Sequence, residues 1–199
     1  MNLALFAPPA FILLLFAVLI VLASRDWRWT IIALGLQYVS VFVLTSAHWP
    51  LEMSSIKLIA GWMATAILGA TQSSGLSGSW ERARPSGALF RLLAGGLVAL
   101  IVVSVAPDAL LWVPQVGLFP AMGGLLLIGC GVLMLGLTAR PLRVVLGLLM
   151  VFAGFEVFYA AVERSTLVAG LLALVNLSLA MVGAYLSEAP EIEGQGGGK

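Results

Sequence analysis

The chain has 199 residues, of which 61% are hydrophobic and 10% charged, with ten basic and nine acidic side chains giving a net charge of +1. A mean hydropathy of +1.10 excludes a water-soluble globular domain, and a near-neutral balance without any basic run excludes a nucleic-acid surface. The single cysteine, Cys130, excludes an internal disulfide and reads as a small core hydrophobe in an apolar run.

A bilayer core about 30 Å thick needs about 20 apolar residues per helix. Seven segments meet that length: 5–23, 30–47, 53–71, 88–106, 117–137, 144–162 and 167–186. All are expected to be helices, because a spanning segment in lipid must satisfy its own backbone hydrogen bonds. The fold class is therefore all-α, a polytopic membrane protein of about seven transmembrane helices. The start, MNLALFAPPA, lacks the basic region of a signal peptide, so the first span is expected to be retained.

The connections orient the chain. Arg25 and Arg28 follow the first span, Arg82 and Arg84 follow the third, Arg91 opens the fourth, and Arg140 and Arg143 separate the fifth from the sixth. The opposite connections hold His48 to Glu52, 106–116 and 163–166, with Arg164 as their only cation. By the positive-inside rule the N-terminus is expected outside and the C-terminus in the cytoplasm. Trp27, Trp29 and Trp80 fall beside the inner surface and Trp49 and Trp112 beside the outer one, where amphipathic rings sit favourably; Trp62 lies mid-span and reads as packing. The Gly- and Ser-rich stretch QSSGLSGSWERARPSG and the two-proline stretch VAPDALLWVPQ are expected as loops, giving a four-helix region over 1–106 and a three-helix unit over 117–187. The acidic, Gly-rich end over 188–199 is expected to be a disordered cytoplasmic tail.

Two ionisable residues stand inside spans, Lys57 in the third and Glu156 in the sixth. A charge at membrane depth costs about 2.5–3.5 kcal/mol on insertion scales and commonly marks a function or a buried partner. Lys57 lies close enough to the outer end to snorkel to the headgroups; the shorter Glu156 reaches water less easily. The third span descends and the sixth ascends, so both lie at similar depth and can pair if their helices are neighbours. Asn176, in the middle of LLALVNLSLAMVGAYL, can bond across helices. Ser178, Thr65, Ser40 and Gln37 are further polar groups in spans, each readable as packing and together able to support a hydrated path. His48 and Glu52 read as solvated. No Ser–His–Asp set, phosphate-binding glycine loop, paired haem ligands or metal-ligand cluster can be drawn, so neither catalysis by this chain alone nor a bound metal or other cofactor is expected. Small residues such as Gly123, Gly124, Gly147, Gly154, Gly170 and Gly183 permit close helix contacts.

From Gly117 to Leu186 the chain shows an apolar helix, a short turn with arginines (TARPLR), a helix with a mid-membrane glutamate (VVLGLLMVFAGFEVFYAA), and a third helix (TLVAGLLALVNLSLAMVGAYL). That order resembles subunit K of respiratory complex I and the MrpC subunit of multisubunit Na⁺/H⁺ antiporters. With four preceding spans and a lysine in the third (SSIKLIAGWMATAIL), the chain resembles component E of the hydrogenase-four type membrane hydrogenases. The resemblance implies a non-catalytic subunit of a proton-translocating oxidoreductase in a bacterial or archaeal plasma membrane, set against antiporter-like membrane subunits, with Glu156 and Lys57 in its buried polar axis. Glu156 stands about one helical turn farther along its helix than the family's glutamate, and Asn176 occupies the region where the family's last helix commonly carries a second acid. Two other readings are an MrpC-like antiporter subunit without redox partners and a structural or assembly subunit without an ion path.

Overall fold

The computed structural model describes residues 6–24, 26–73, 86–138 and 140–188. Arg25, Trp80, Arg82, Arg84 and the tail beyond Glu188 lie outside the described residues, and the expectations attached to them are not addressed by it. Among the described residues there are seven α-helices and no strand: α1 (Ala7–Ala23), α2 (Trp27–Thr45), α3 (Leu51–Ser73), α4 (Ser86–Trp112), α5 (Leu118–Leu137), α6 (Pro141–Val162) and α7 (Thr166–Glu188). The chain is a helical, multi-pass membrane protein by the length and apolarity of these elements. Six of them, α2 to α7, are long and apolar enough to cross a bilayer, and α1 is a shorter apolar helix of 17 residues.

Local chemistry sets the ends. Pro8 and Pro9 occupy the first turn of α1, where their missing N–H groups cost nothing. The Asp26 carboxylate accepts from the Arg28 backbone N–H at 3.0 Å and caps α2. Pro141 opens α6 in the same way as the prolines of α1.

Most helix ends fall within three residues of the expected spans, and one boundary differs by more. The stretch 106–116 is not all loop, because α4 continues through Pro107 to Trp112. Pro107 removes one helical N–H, but Asp108, Ala109, Leu110 and Leu111 form the next turn, as after a proline at a helix start. Leu111 and Trp112 there are exposed. A 3₁₀ turn over Pro114–Val116 and Gly117 at φ 75° then reverse the chain into α5. Positive φ favours glycine at that corner.

Helix direction alternates. The upper end of the bundle holds the α2–α3, α4–α5 and α6–α7 connections. There, His48 Nε2 lies 2.8 Å from the Gln115 carbonyl oxygen, and the Trp49 indole N–H donates to the Glu163 carbonyl at 2.8 Å. At the lower end Arg143 donates to the Ser24 carbonyl at 3.0 Å, tying the α5–α6 connection to the end of α1.

Facing glycines bring the backbones of α5 and α6 into close approach. A Cβ on Gly154 would lie 2.6 Å from the Gly124 carbonyl oxygen, and one on Gly131 would lie 2.8 Å from the Gly147 carbonyl oxygen. Two such crossings lock the antiparallel pair backbone to backbone. Gly154→Val is expected to force these helices apart and lower stability by about 1–3 kcal/mol, the usual penalty for overpacking. Gly170→Ala, where an added Cβ meets nothing within 4 Å, serves as the neutral control; thermal unfolding in detergent compares the two.

α1 packs on α2, α4 and α5, and one apolar core runs through the first four helices and the last three alike. α4 lies at the margin and buries little beyond Val102 and Ala106. On the other side, α2 contacts both α3 and α6, and α7 contacts both α3 and α6. These four helices close a ring.

Candidate functional site: a buried ion pair within a four-helix ring

The interior of that ring is polar at one level. On α3 the buried face carries Met53, Ser54, Lys57, Ala60, Gly61, Ala64 and Leu68, a helical stripe directed at α2 and α7. On α6 the buried face carries Met150, Ala153, Gly154, Glu156, Val157 and Ala160. Lys57 is 4% exposed and Glu156 0%. Their side chains form an ion pair between Nζ and Oε2. Lys57 therefore does not snorkel; its four-carbon stem crosses the ring instead.

The two residues match in depth because the helices run in opposite directions. Each lies about 9 Å below the upper end of its helix at 1.5 Å rise per residue. Burying either charge alone would carry the full desolvation penalty, and pairing them offsets much of it. Asn176 of α7, also fully buried, donates from Nδ2 to Glu156 Oε1 at 3.3 Å. The carboxylate is thus held on one oxygen by an ammonium and on the other by an amide.

A fourth group comes from α2. The Lys57 ammonium lies 5.9 Å from the centre of the Tyr38 ring, a cation–π distance. Tyr38 is fully buried, and its ring lies against Gly61, where a Cβ would stand 2.3 Å from ring carbons. Glycine at 61 gives the tyrosine its place beside the lysine.

Several buried polar atoms around this level lack a protein partner: both amide atoms of Gln37, the Tyr38 hydroxyl, Ser54 Oγ and Asn176 Oδ1. Buried polar atoms are ordinarily about 90% satisfied, so their concentration on the ring helices is informative. They fall between about 5 and 15 Å below the upper end by helical rise. Groups of this kind suit hydrogen bonds to internal water.

Of the residues named from sequence, Lys57, Glu156 and Asn176 come together, and Thr65 and Ser178 do not join them. Thr65 donates to the Gly61 carbonyl at 2.7 Å and lines an apolar outer groove with Gly35, Trp62 and Gly69. Ser178 is exposed and donates to the Leu174 carbonyl at 2.9 Å. The reason is angular: at about 100° per residue, Ser178 is turned about 200° from Asn176, and Thr65 about 80° from Lys57. Ser40 likewise bonds within its own helix, to the Leu36 carbonyl at 3.3 Å.

Two tryptophans show more than their depth. Trp49, in the upper connection as expected, is only 4% exposed and packs inside the protein, whereas the mid-span Trp62 is 52% exposed and donates to the Gly35 carbonyl at 3.3 Å. Sequence reasoning missed Tyr38 and Trp49 as members of the site. A tyrosine adjoining a glutamine inside a span (Gln37–Tyr38) was the available signal for the first; nothing in the sequence distinguished the second from a headgroup anchor.

Chemically, the cluster can take up and release one proton at Glu156. Protonation of a carboxylate neutralises it, and here that would remove the counter-charge of the Lys57 ammonium. Among the described residues no group of three or more His, Cys, Asp or Glu side chains converges as a metal site. No protein-family model, curated protein or solved structure matches this chain.

Proposed function

We propose that the protein is a non-catalytic membrane subunit of a complex I-like or membrane-hydrogenase-like ion-pumping assembly. In this reading Lys57, Glu156 and Asn176 contribute to a proton-translocation axis shared with antiporter-like subunits. The observation that carries it is the Lys57–Glu156 ion pair inside the α2–α3–α7–α6 ring. A buried pair is weak as a device for stability, since apolar side chains of similar volume serve as well or better. Its value here is that one proton changes the local charge balance. The unpartnered atoms of Gln37, Tyr38, Ser54 and Asn176 supply polar surface on which water can complete a path.

The sequence asymmetry of the arginines supports an orientation with the upper end outside and the lower end in the cytoplasm, and the family resemblance suggests a bacterial or archaeal plasma membrane. Arg28, Arg91, Arg140 and Arg143 all lie on the lower-end segments, and Arg164 on an upper one. Most of the surface of α4 and much of α7 is apolar and exposed, including Leu93, Leu97 and Leu100 on α4 and Leu171, Leu174 and Met181 on α7. Such faces suit lipid or sister helices.

Affinity isolation of the intact assembly from native membranes tests the reading. Antiporter-like membrane subunits together with redox subunits are expected to co-purify. Antiporter subunits without redox partners would support the MrpC-like alternative, and recovery of the chain alone would contradict both.

A further inference from the structure

Directly above the ion pair sits a second, separate apolar cluster of Trp49, Met53, Ala160 and Ala169, with Tyr159 packed against it. Met53 lies one helical turn above Lys57 on α3, and Ala160 one turn above Glu156 on α6; Ala169 lies two turns above Asn176 on α7. The cluster therefore closes the ring between the charges and the upper surface. Its largest member is Trp49, which comes from the short connection between α2 and α3. Trp49 is held by one side-chain hydrogen bond, to the Glu163 carbonyl at 2.8 Å, and by an edge-on contact with Tyr159 at 6.4 Å. Lifting the indole breaks no helix.

Beneath this lid is Ser54, fully buried, with a hydroxyl that has no protein partner. It precedes Lys57 by almost one turn on the same face, so it stands between lid and pair. The opposite direction is different. Below the polar level the ring helices present Ala33 and Leu34 on α2, Ala64 and Leu68 on α3, and Leu146 and Leu149 on α6, all buried and apolar, before the buried polar Thr30 and Gln72 near the lower ends. That apolar layer, about 10 Å deep from the level of Asn176 to that of Leu68, is built from helix side chains, whereas the upper closure hangs on the Trp49 side chain of a short connection.

We propose that protons enter and leave Glu156 from the upper end of the bundle, past a gate closed by Trp49, with Ser54 as the polar step beneath it. This rests on the reading of the pair as a proton-exchanging site. In the inward step a proton from the aqueous side binds the Glu156 carboxylate and the ion pair with Lys57 is broken. In the reverse step the carboxyl returns that proton upwards and the ion pair re-forms. Glu52 and Glu163 stand exposed at the upper surface beside the gate. Net movement across the membrane then requires the onward path to run sideways into a neighbouring subunit rather than down through this bundle.

The test uses the full chain in its native assembly, in sealed membrane vesicles of both orientations, with Cys130→Ala to remove the only native thiol. Ser54→Cys replaces an unbonded hydroxyl by a thiol of nearly equal size, and Ala160→Cys is a second position, within the cluster beside the indole. A membrane-impermeant maleimide is the probe, and Glu52→Cys identifies the upper face. Labelling of Ser54→Cys or Ala160→Cys is expected from the upper face only, slow with Trp49 present and markedly accelerated by Trp49→Ala. Labelling from the lower face, or rates indifferent to Trp49→Ala at both positions, overturns the gate. Labelling reads access and not pumping. Loss of pumping in Glu156→Gln with Trp49-independent labelling therefore removes the gate alone, and normal pumping in Glu156→Gln removes the function itself.

Discussion

Lys57→Met is expected to be among the most destabilising single substitutions in the chain, costing about 3–5 kcal/mol, because it strands the Glu156 carboxylate in the ring without its counter-charge. The carboxylate would keep only the long Asn176 amide contact on Oε1. Reduced abundance in the membrane and a lower unfolding temperature in detergent are the readouts. Removing both charges, as Lys57→Met with Glu156→Leu, is expected to restore most of the stability, since neither desolvation penalty remains. The double-mutant cycle isolates the coupling between the two positions. Independent, additive effects would show that the side chains do not depend on each other in the folded protein.

This pattern of loss and recovery separates what the pair does for folding from what it does for function. A double variant that is stable and assembled yet inert carries an architecture without the charges, and identifies the charges as functional parts. Tyr38 and Gly61 belong to the same unit, because the ring beside the ammonium needs the space that glycine leaves.

Much of the architecture was legible in the residues. Seven apolar stretches can only be helices in lipid, and their alternation alone places Lys57 and Glu156 at one level. The prolines at Pro8, Pro9 and Pro141 and the acid at Asp26 mark helix starts by chemistry that does not depend on the surroundings. What could not be read was which face of each helix looks inward. In a soluble protein, polar residues label the outer face; in a membrane protein the outer face is as apolar as the core. Leu14 is completely buried and Leu100 is 68% exposed, yet both sit in similar apolar runs. For that reason Thr65 and Ser178 seemed equivalent to Asn176 until the helices were placed.

The same ambiguity explains Trp49 and Trp62. A tryptophan near a helix end is usually an interfacial anchor and one in mid-span usually packing, whereas here the end ring is buried in the protein and the mid-span ring is half exposed. Trp49 turns inward because its connection is short and the Glu163 carbonyl awaits its indole N–H. The continuation of α4 past Pro107 has a comparable origin: a proline ends a hydrogen-bond ladder but also begins a new turn well.

The second large effect concerns Glu156, and it bears on whether a buried proton-exchanging carboxylate is what this bundle exists to hold. Glu156→Gln keeps the size and planarity of the side chain and can still accept from Asn176, but it cannot bind and release a proton. Glu156→Asp keeps the charge on a shorter stem. Proton translocation per turnover, measured in sealed vesicles containing the intact assembly, is expected to fall to the leak rate in Glu156→Gln and to survive in part in Glu156→Asp, with both variants checked for assembled complex. Undiminished translocation by fully assembled Glu156→Gln would contradict the account, leaving the ion pair a structural feature only.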